Sequence, residues 1–136
     1  MILNPLKGID NIEFRASLEV LKKTLGKGEK IDLNDEFLDE EATLFYFENL
    51  DSTFFLSKDE IPVLFEIEIY NPKASLLDIL PFNFKYSELK NELKKREIKF
   101  EEEKQDWGEK RIGIEELGID FYFENDTLNC INLYLP

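Results

Sequence analysis

The stretch Ile9-Asp10-Asn11-Ile12-Glu13-Phe14 is answered, 68 residues further on, by Leu77-Asp78-Ile79-Leu80-Pro81-Phe82. The same offset pairs Leu21 with Leu89, Lys22 with Lys90 and Leu25 with Leu93. Downstream, Phe45, Phe47, Glu48, Leu50, Phe54 and Leu56 match Ile112, Ile114, Glu115, Leu117, Phe121 and Phe123 at an offset of 67. Finally, Leu64, Ile67, Ile69, Tyr70 and Pro72 match Leu128, Ile131, Leu133, Tyr134 and Pro136 at an offset of 64. Offsets that drift only across loops are what duplication followed by small insertions and deletions leaves behind. A second match, Phe45-Tyr46-Phe47-Glu48-Asn49 with Phe121-Tyr122-Phe123-Glu124-Asn125, lies at an offset of 76 and breaks the alignment on both sides. It is read as coincidence between alternating strands. The chain is thus expected to be one domain, residues 1–136, made of two repeats at about 8–72 and 76–136.

Each repeat has the same local grammar. Ser17 suits the N-cap of a helix running to Leu25, and Gly26 suits the position after its end. Leu18, Leu21 and Leu25 share one face, and Lys22 and Lys23 sit where the helix dipole favours cations. In the second repeat Ser87 is expected to open a helix to about Arg96, with Leu89 and Leu93 facing inward. Strand-like runs follow at 43–48, 53–57 and 63–70, then at 111–115, 120–124 and 129–135. Residues 12–14 and 80–84 lead into the helices as strand or irregular chain. Two such units cannot each cover their apolar face alone. The predicted fold is α+β: two α-β-β-β repeats forming one antiparallel sheet of about six strands, with two helices packed on one face. The opposite face stays open, as antiparallel sheets allow.

Strand alternation sorts the side chains. Phe45, Phe47, Phe54, Leu56, Phe65, Ile67 and Ile69 form the inward set of the first repeat; Ile112, Ile114, Phe121, Phe123, Ile131, Leu133 and Leu135 form that of the second. The outward set is Tyr46, Glu48, Phe55, Glu66, Glu68 and Tyr70, with Glu115, Tyr122, Glu124, Asn132 and Tyr134. It mixes aromatic rings with carboxylates, the composition of an interface, although strand propensity alone also favours aromatic residues on a solvated sheet. The helical segments are net basic, so the sheet side and loops hold the negative field. Two loops concentrate it: Asp32, Asp35, Glu36, Asp39, Glu40 and Glu41 before the first strand run, and Glu101, Glu102, Glu103, Asp106 and Glu109 in the matching place. Trp107, inside the second loop, is either a partner-facing anchor or folded back onto the core.

Composition narrows the chemistry. The 136 residues suit one domain that buries about two thirds of its unfolded surface. At 43% hydrophobic residues, with 12 Phe, the chain has enough for a packed core and does not read as disordered. A net charge of −13 repels phosphate backbones and disfavours nucleic acid. It attracts basic proteins, although simple solubility explains the same charge. The chain has no histidine, which removes Ser-His and Cys-His catalysis and His-based zinc sites. Its one cysteine, Cys130, permits no intrachain disulfide and reads as a small packing residue. The loop Asp32-Leu33-Asn34-Asp35-Glu36 has calcium-friendly residues without the EF-hand pattern, and no Gly-rich phosphate loop occurs. No enzyme activity, cofactor or metal is expected. The first ten residues lack the basic start and apolar stretch of a signal peptide, and no run approaches a membrane span. The expected location is cytoplasmic, without membrane association.

The run Gly8-Ile9-Asp10-Asn11-Ile12-Glu13-Phe14, followed by Ser17-Leu18-Glu19-Val20-Leu21-Lys22-Lys23-Thr24-Leu25-Gly26, resembles the opening of an SmpA/BamE-type unit. Tandem versions of such units resemble the fold of the β-lactamase inhibitor protein. The segment Glu116-Leu117-Gly118-Ile119-Asp120-Phe121-Tyr122-Phe123, with Leu128-Asn129-Cys130-Ile131-Asn132-Leu133-Tyr134, is similar to small bacterial toxin-immunity proteins. These resemblances imply a sheet surface that grips a protein; they transfer no individual binding residue. BamE-type proteins are exported lipoproteins, and this chain shows neither an export signal nor an N-terminal cysteine. The implied function is an immunity or inhibitor protein that neutralises a basic toxin, such as a nuclease, by stoichiometric binding. A non-inhibitory scaffold module is the alternative.

Overall fold

Gly8 shapes the N-terminal turn. Its φ is +145°, and a Cβ there would collide with the Ile12 carbonyl, so only glycine lets the neighbouring chains come this close. Around it, β1 (Leu3–Asn4), β2 (Gly8–Ile9) and β3 (Ile12–Glu13) form a small antiparallel sheet. Its apolar residues Leu3, Ile9 and Ile12, with Phe14 beyond, are buried in the common core. The sheet is anchored at two places. Leu3 N–H donates to the Ser75 carbonyl at 2.8 Å, and Arg15 N–H donates to the Leu64 carbonyl at 2.7 Å. The computed structural model describes residues 1–31 and 42–136.

Helix α1 (Leu18–Leu25) starts where its cap predicts: Ser17 Oγ accepts the Val20 N–H at 3.3 Å, and the helix ends at Gly26. Helix α2 (Tyr86–Lys95) starts before the expected serine. Glu88 reaches back to accept the Lys85 N–H at 2.9 Å and closes the first turn there, so Ser87 lies inside the helix.

Among the described residues four strands follow each helix where three were expected. After α1 come β4 (Glu29–Ile31), β5 (Ala42–Phe47), β6 (Ser52–Ser57) and β7 (Leu64–Ile69). After α2 come β8 (Glu101–Lys104), β9 (Glu109–Ile114), β10 (Ile119–Glu124) and β11 (Thr127–Tyr134). They form one eight-stranded antiparallel sheet in the order β4-β5-β6-β7-β11-β10-β9-β8, which corrects the expected six-stranded sheet. The six expected strands are all present. The added two are the edges, and they consist mostly of charged residues, as edges that resist further pairing do.

The core fills one face of this sheet. Phe45, Phe54, Ile67, Leu133, Ile119 and Ile114 follow one another across it through direct strand pairing, and all are buried. Both helices cover that face. Leu21 of α1 and Leu89 and Leu93 of α2 belong to the same buried cluster, and the Tyr86 ring meets Phe123 edge-on at 5.3 Å. Among the described residues each half carries one β-bulge. Leu56 pairs with Leu64 and Phe123 with Leu128, which leaves Phe65 and Asn129 as the extra residues. The bulge overturns one expectation: Leu64 faces the core and Phe65 is left half-buried outside it.

Candidate protein-binding face

Counting by twos from the buried positions puts a second set of residues on the sheet face away from the helices. Through strand pairing, one row runs Tyr46, Thr53, Glu68, Asn132, Asp120, Gly113, Glu101. Beside it lie Leu44, Phe55, Glu66 and Tyr134 on one side and Cys130, Tyr122, Arg111 and Glu103 on the other. Tyr70 follows directly after β7. The face divides by chemistry. Over β5 and β6 it is aromatic and apolar, over β8 and β9 it is ionic, and over β7, β11 and β10 between them rings and carboxylates interleave.

Arg111 organises the ionic half. Its guanidinium lies 3.1 Å from Asp120, 3.5 Å from Glu103 and 3.8 Å from Glu101. Gly113 leaves the room for it, because a Cβ there would collide with Arg111 Nη1 and sit 2.8 Å from Asp120 Oδ1. Burial pushes the Asp120 carboxyl above its ordinary value, against the pull of Arg111.

The seam between the halves is more enclosed. Glu68 lies against both the Tyr70 hydroxyl and the Cys130 thiol. Burial raises the Tyr70 phenol well beyond its usual range and pushes the Tyr122 phenol and the Cys130 thiol up to about 12. Cys130 is therefore a protonated thiol at neutral pH, without the thiolate a nucleophile needs. Asn132 Oδ1 is enclosed here with no hydrogen-bond partner among the described residues.

The expected surface is brought together in large part. Tyr46, Phe55, Glu66, Glu68, Tyr122, Asn132 and Tyr134 stand on this face, all partly buried, with Tyr70 at its margin. Tyr46 is held by its hydroxyl, which donates to Asp51 at 2.6 Å. Glu124 ends β10 and Glu48 lies one residue past β5, both exposed. Glu115 does not belong to the face: it begins a single 3-10 turn, Glu115–Leu117, beyond β9. Trp107 is not folded back, since 72% of its surface is exposed. Asp35, Glu36, Asp39 and Glu40 lie outside the described residues, as do Asp32 and Glu41. The second acidic loop is in part a strand, β8.

The sequence reading missed Arg111 and Asp120 on the open face, although both fall at alternate positions from Ile112 and Phe121. It also missed a cluster on the helix side. There the Tyr86 hydroxyl donates to Glu102, which pairs with Lys90 at 3.1 Å. The Nζ atoms of Lys110, Lys104 and Lys90 surround the Tyr86 ring at 4.9, 5.6 and 5.9 Å from its centroid. The Tyr86 hydrogen bond holds Glu102 below its ordinary value. Burial, with that same bond, holds the Tyr86 phenol above its own.

Among the described residues no group of three or more acidic or thiol side chains is placed to hold a metal ion, and no helix is long and apolar enough to cross a membrane. No protein-family model, curated protein or solved structure matches this chain.

Proposed function

We propose that the chain is an immunity-type inhibitor that neutralises a basic bacterial toxin in the cytoplasm by stoichiometric binding through the open sheet face. The observation that carries this reading is the composition of that face: Tyr46, Phe55, Tyr70, Tyr122 and Tyr134 interleaved with Glu66, Glu68 and Asp120 on a continuous sheet. Rings fixed on strands offer contact area at small entropic cost. The carboxylates, within a chain of net charge −13, speed the approach of a cationic partner and suit a cleft built for phosphate. The matched strand order of the two halves also supports reading residues 8–72 and 76–136 as copies of one ancestral unit.

The test is capture of a partner from the native organism at moderate salt, followed by titration of the isolated complex. A single basic polypeptide, toxic alone and silenced at one-to-one stoichiometry, is the expected outcome. In Tyr70→Ala and Tyr122→Ala variants binding weakens by about 1–3 kcal/mol each where these rings are hot spots. Capture of several housekeeping proteins with no toxic activity favours a scaffold module instead, and unchanged affinity in the folded double variant moves the site off this face.

A further inference from the structure

Trp107 is the chain's one tryptophan and, among the described residues, its most exposed large apolar side chain. It is nonetheless held in place. Its indole N–H donates to Glu109 at 3.0 Å. The hairpin that carries it is closed by the Gln105 N–H on the Glu109 carbonyl at 2.8 Å. It docks on the neighbouring turn through the Asn125 N–H on the Gly108 carbonyl at 2.7 Å. A fixed, solvent-facing indole at the tip of a tied-down hairpin gives the fold nothing it needs for its own core.

The surroundings of the ring select its partner. Glu109 pairs with Glu124 across β9 and β10, and Glu103 pairs with Arg111 across β8 and β9, all on the open face. Glu101 and Asp120 stand one step further along. Arg111 is the cation among these carboxylates, because Lys104 and Lys110 turn to the opposite face and the Tyr86 ring. A recess of about 70 Å³ opens beside them, walled by Glu103, Gln105, Glu109, Arg111 and Tyr122 together with Lys110, whose Nζ itself lies over the Tyr86 ring. A guanidinium is the cation that both stacks flat on an indole and grips carboxylates by its edge; an ammonium is more strongly hydrated and stacks less well.

We propose that this corner is the docking surface for an arginine side chain presented by a basic protein partner, its guanidinium lying on Trp107 with its N–H groups on Glu103 and Glu109. The proposal rests on the reading of the open face as protein-binding and names the chemistry that anchors one end of it.

Because no other tryptophan is present, indole fluorescence of the full chain reports on this corner alone. The probes are three capped peptides of equal length carrying arginine, lysine or citrulline at the same positions, titrated at constant ionic strength. Expected is a saturable change with the arginine peptide, binding several-fold weaker with lysine, and none with citrulline. Replacing both Glu103→Gln and Glu109→Gln weakens the arginine peptide about tenfold, as loss of two charge-assisted contacts does. The charge-matched pair Glu13→Gln and Glu60→Gln, exposed in the first half, changes it less than about twofold because distant surface charges are screened. Equal losses in the two double variants, or equal binding of the arginine and lysine peptides, overturn the proposal, since net charge alone then drives association. With a captured toxin in hand, affinity unchanged by Trp107→Ala but weakened by Tyr70→Ala and Tyr122→Ala removes this corner and keeps the inhibitor reading. Arginine-specific peptide binding in a chain that captures no toxin does the reverse.

Discussion

Glu68 of β7 lies directly opposite Asn132 of β11, and the pairs flanking it are Ile67 with Leu133 and Ile69 with Ile131. Ile67 and Ile131 are matched residues in the internal alignment, as are Ile69 and Leu133. The register is therefore centred on the Glu68–Asn132 pair, with an isoleucine of β7 facing an apolar residue of β11 on either side. Outward from that pair the strands run β6, β5, β4 on one side and β10, β9, β8 on the other. The seam is the one strand pairing between the two meanders, and its inner side is entirely apolar.

Ile67→Ala tests whether that seam holds both halves as one cooperative unit. Ile67 is fully buried beside Leu133, so truncation costs about 2–5 kcal/mol. Urea unfolding followed by circular dichroism, which sees both halves, and by Trp107 fluorescence, which sees the second, is expected to give one coincident transition at a lower midpoint. Two separated transitions would mean that the halves fold independently.

Tyr86→Phe tests the hydrogen bond to Glu102 through its dependence on pH. Glu102 is held below its ordinary 4.5, so its contribution is full above that value and is lost as pH falls through the depressed one. Tyr86 is held above its ordinary 10.0, so its contribution is full below that value and is lost as pH rises through the raised one. Wild type is therefore expected to exceed the variant in stability by a constant margin of about 1–3 kcal/mol between those limits, narrowing at both ends. Denaturant midpoints of the two proteins across the pH range provide the comparison. A margin that stays flat below pH 4.5 removes Glu102 from the account.

How much of this was legible depends on what each residue has to satisfy. Six strands and α1 were readable because Phe45, Phe47, Phe54, Ile112, Ile114 and Phe121 alternate with residues that do not enter the core. Asp10 and Asp78 both take left-handed φ, at 51° and 66°, as does Leu77 beside the second. The edges β4 and β8 carry no such alternation. Glu102 points to the helix side like a core residue but is satisfied there by Lys90 and Tyr86, so a run of acids reads as loop. Phe65 was misplaced because a bulge shifts parity without leaving a mark in a hydrophobic run. On the open face the tyrosines and Glu66 and Glu68 follow from parity; Arg111 and Asp120 have the same parity, but their pairing with each other and with Glu101 and Glu103 depends on cross-strand register, which parity alone does not give. For Trp107 the sequence leaves both outcomes open, and the closed turn between Gln105 and Glu109 leaves its indole in solvent.

Gly113→Ala tests whether the glycine exists to seat Arg111. Taken alone, alanine in an extended strand position gains about 0.4–1 kcal/mol by restricting the unfolded chain. Here its Cβ takes the space of the guanidinium, which is expected to leave Asp120, and the net effect reverses to a loss of about 1–2 kcal/mol. In an Arg111→Ala background that space is empty, so the same substitution becomes neutral or stabilising. The cycle of Arg111→Ala, Gly113→Ala and both together, read by urea unfolding at neutral pH, is therefore strongly non-additive. Acid supplies an independent check on the same pair. Asp120 already sits above its ordinary 3.8, and losing Arg111 raises it further, so the folded form of Arg111→Ala binds its proton more tightly than the unfolded chain does. Its stability contribution is present below 3.8 and lost as pH rises through the raised value, so the deficit of Arg111→Ala against wild type grows from acid toward neutrality. Additive effects in the cycle, with a deficit independent of pH, would show that Arg111 is held by Glu101 and Glu103 alone and that Gly113 leaves its space for some other reason.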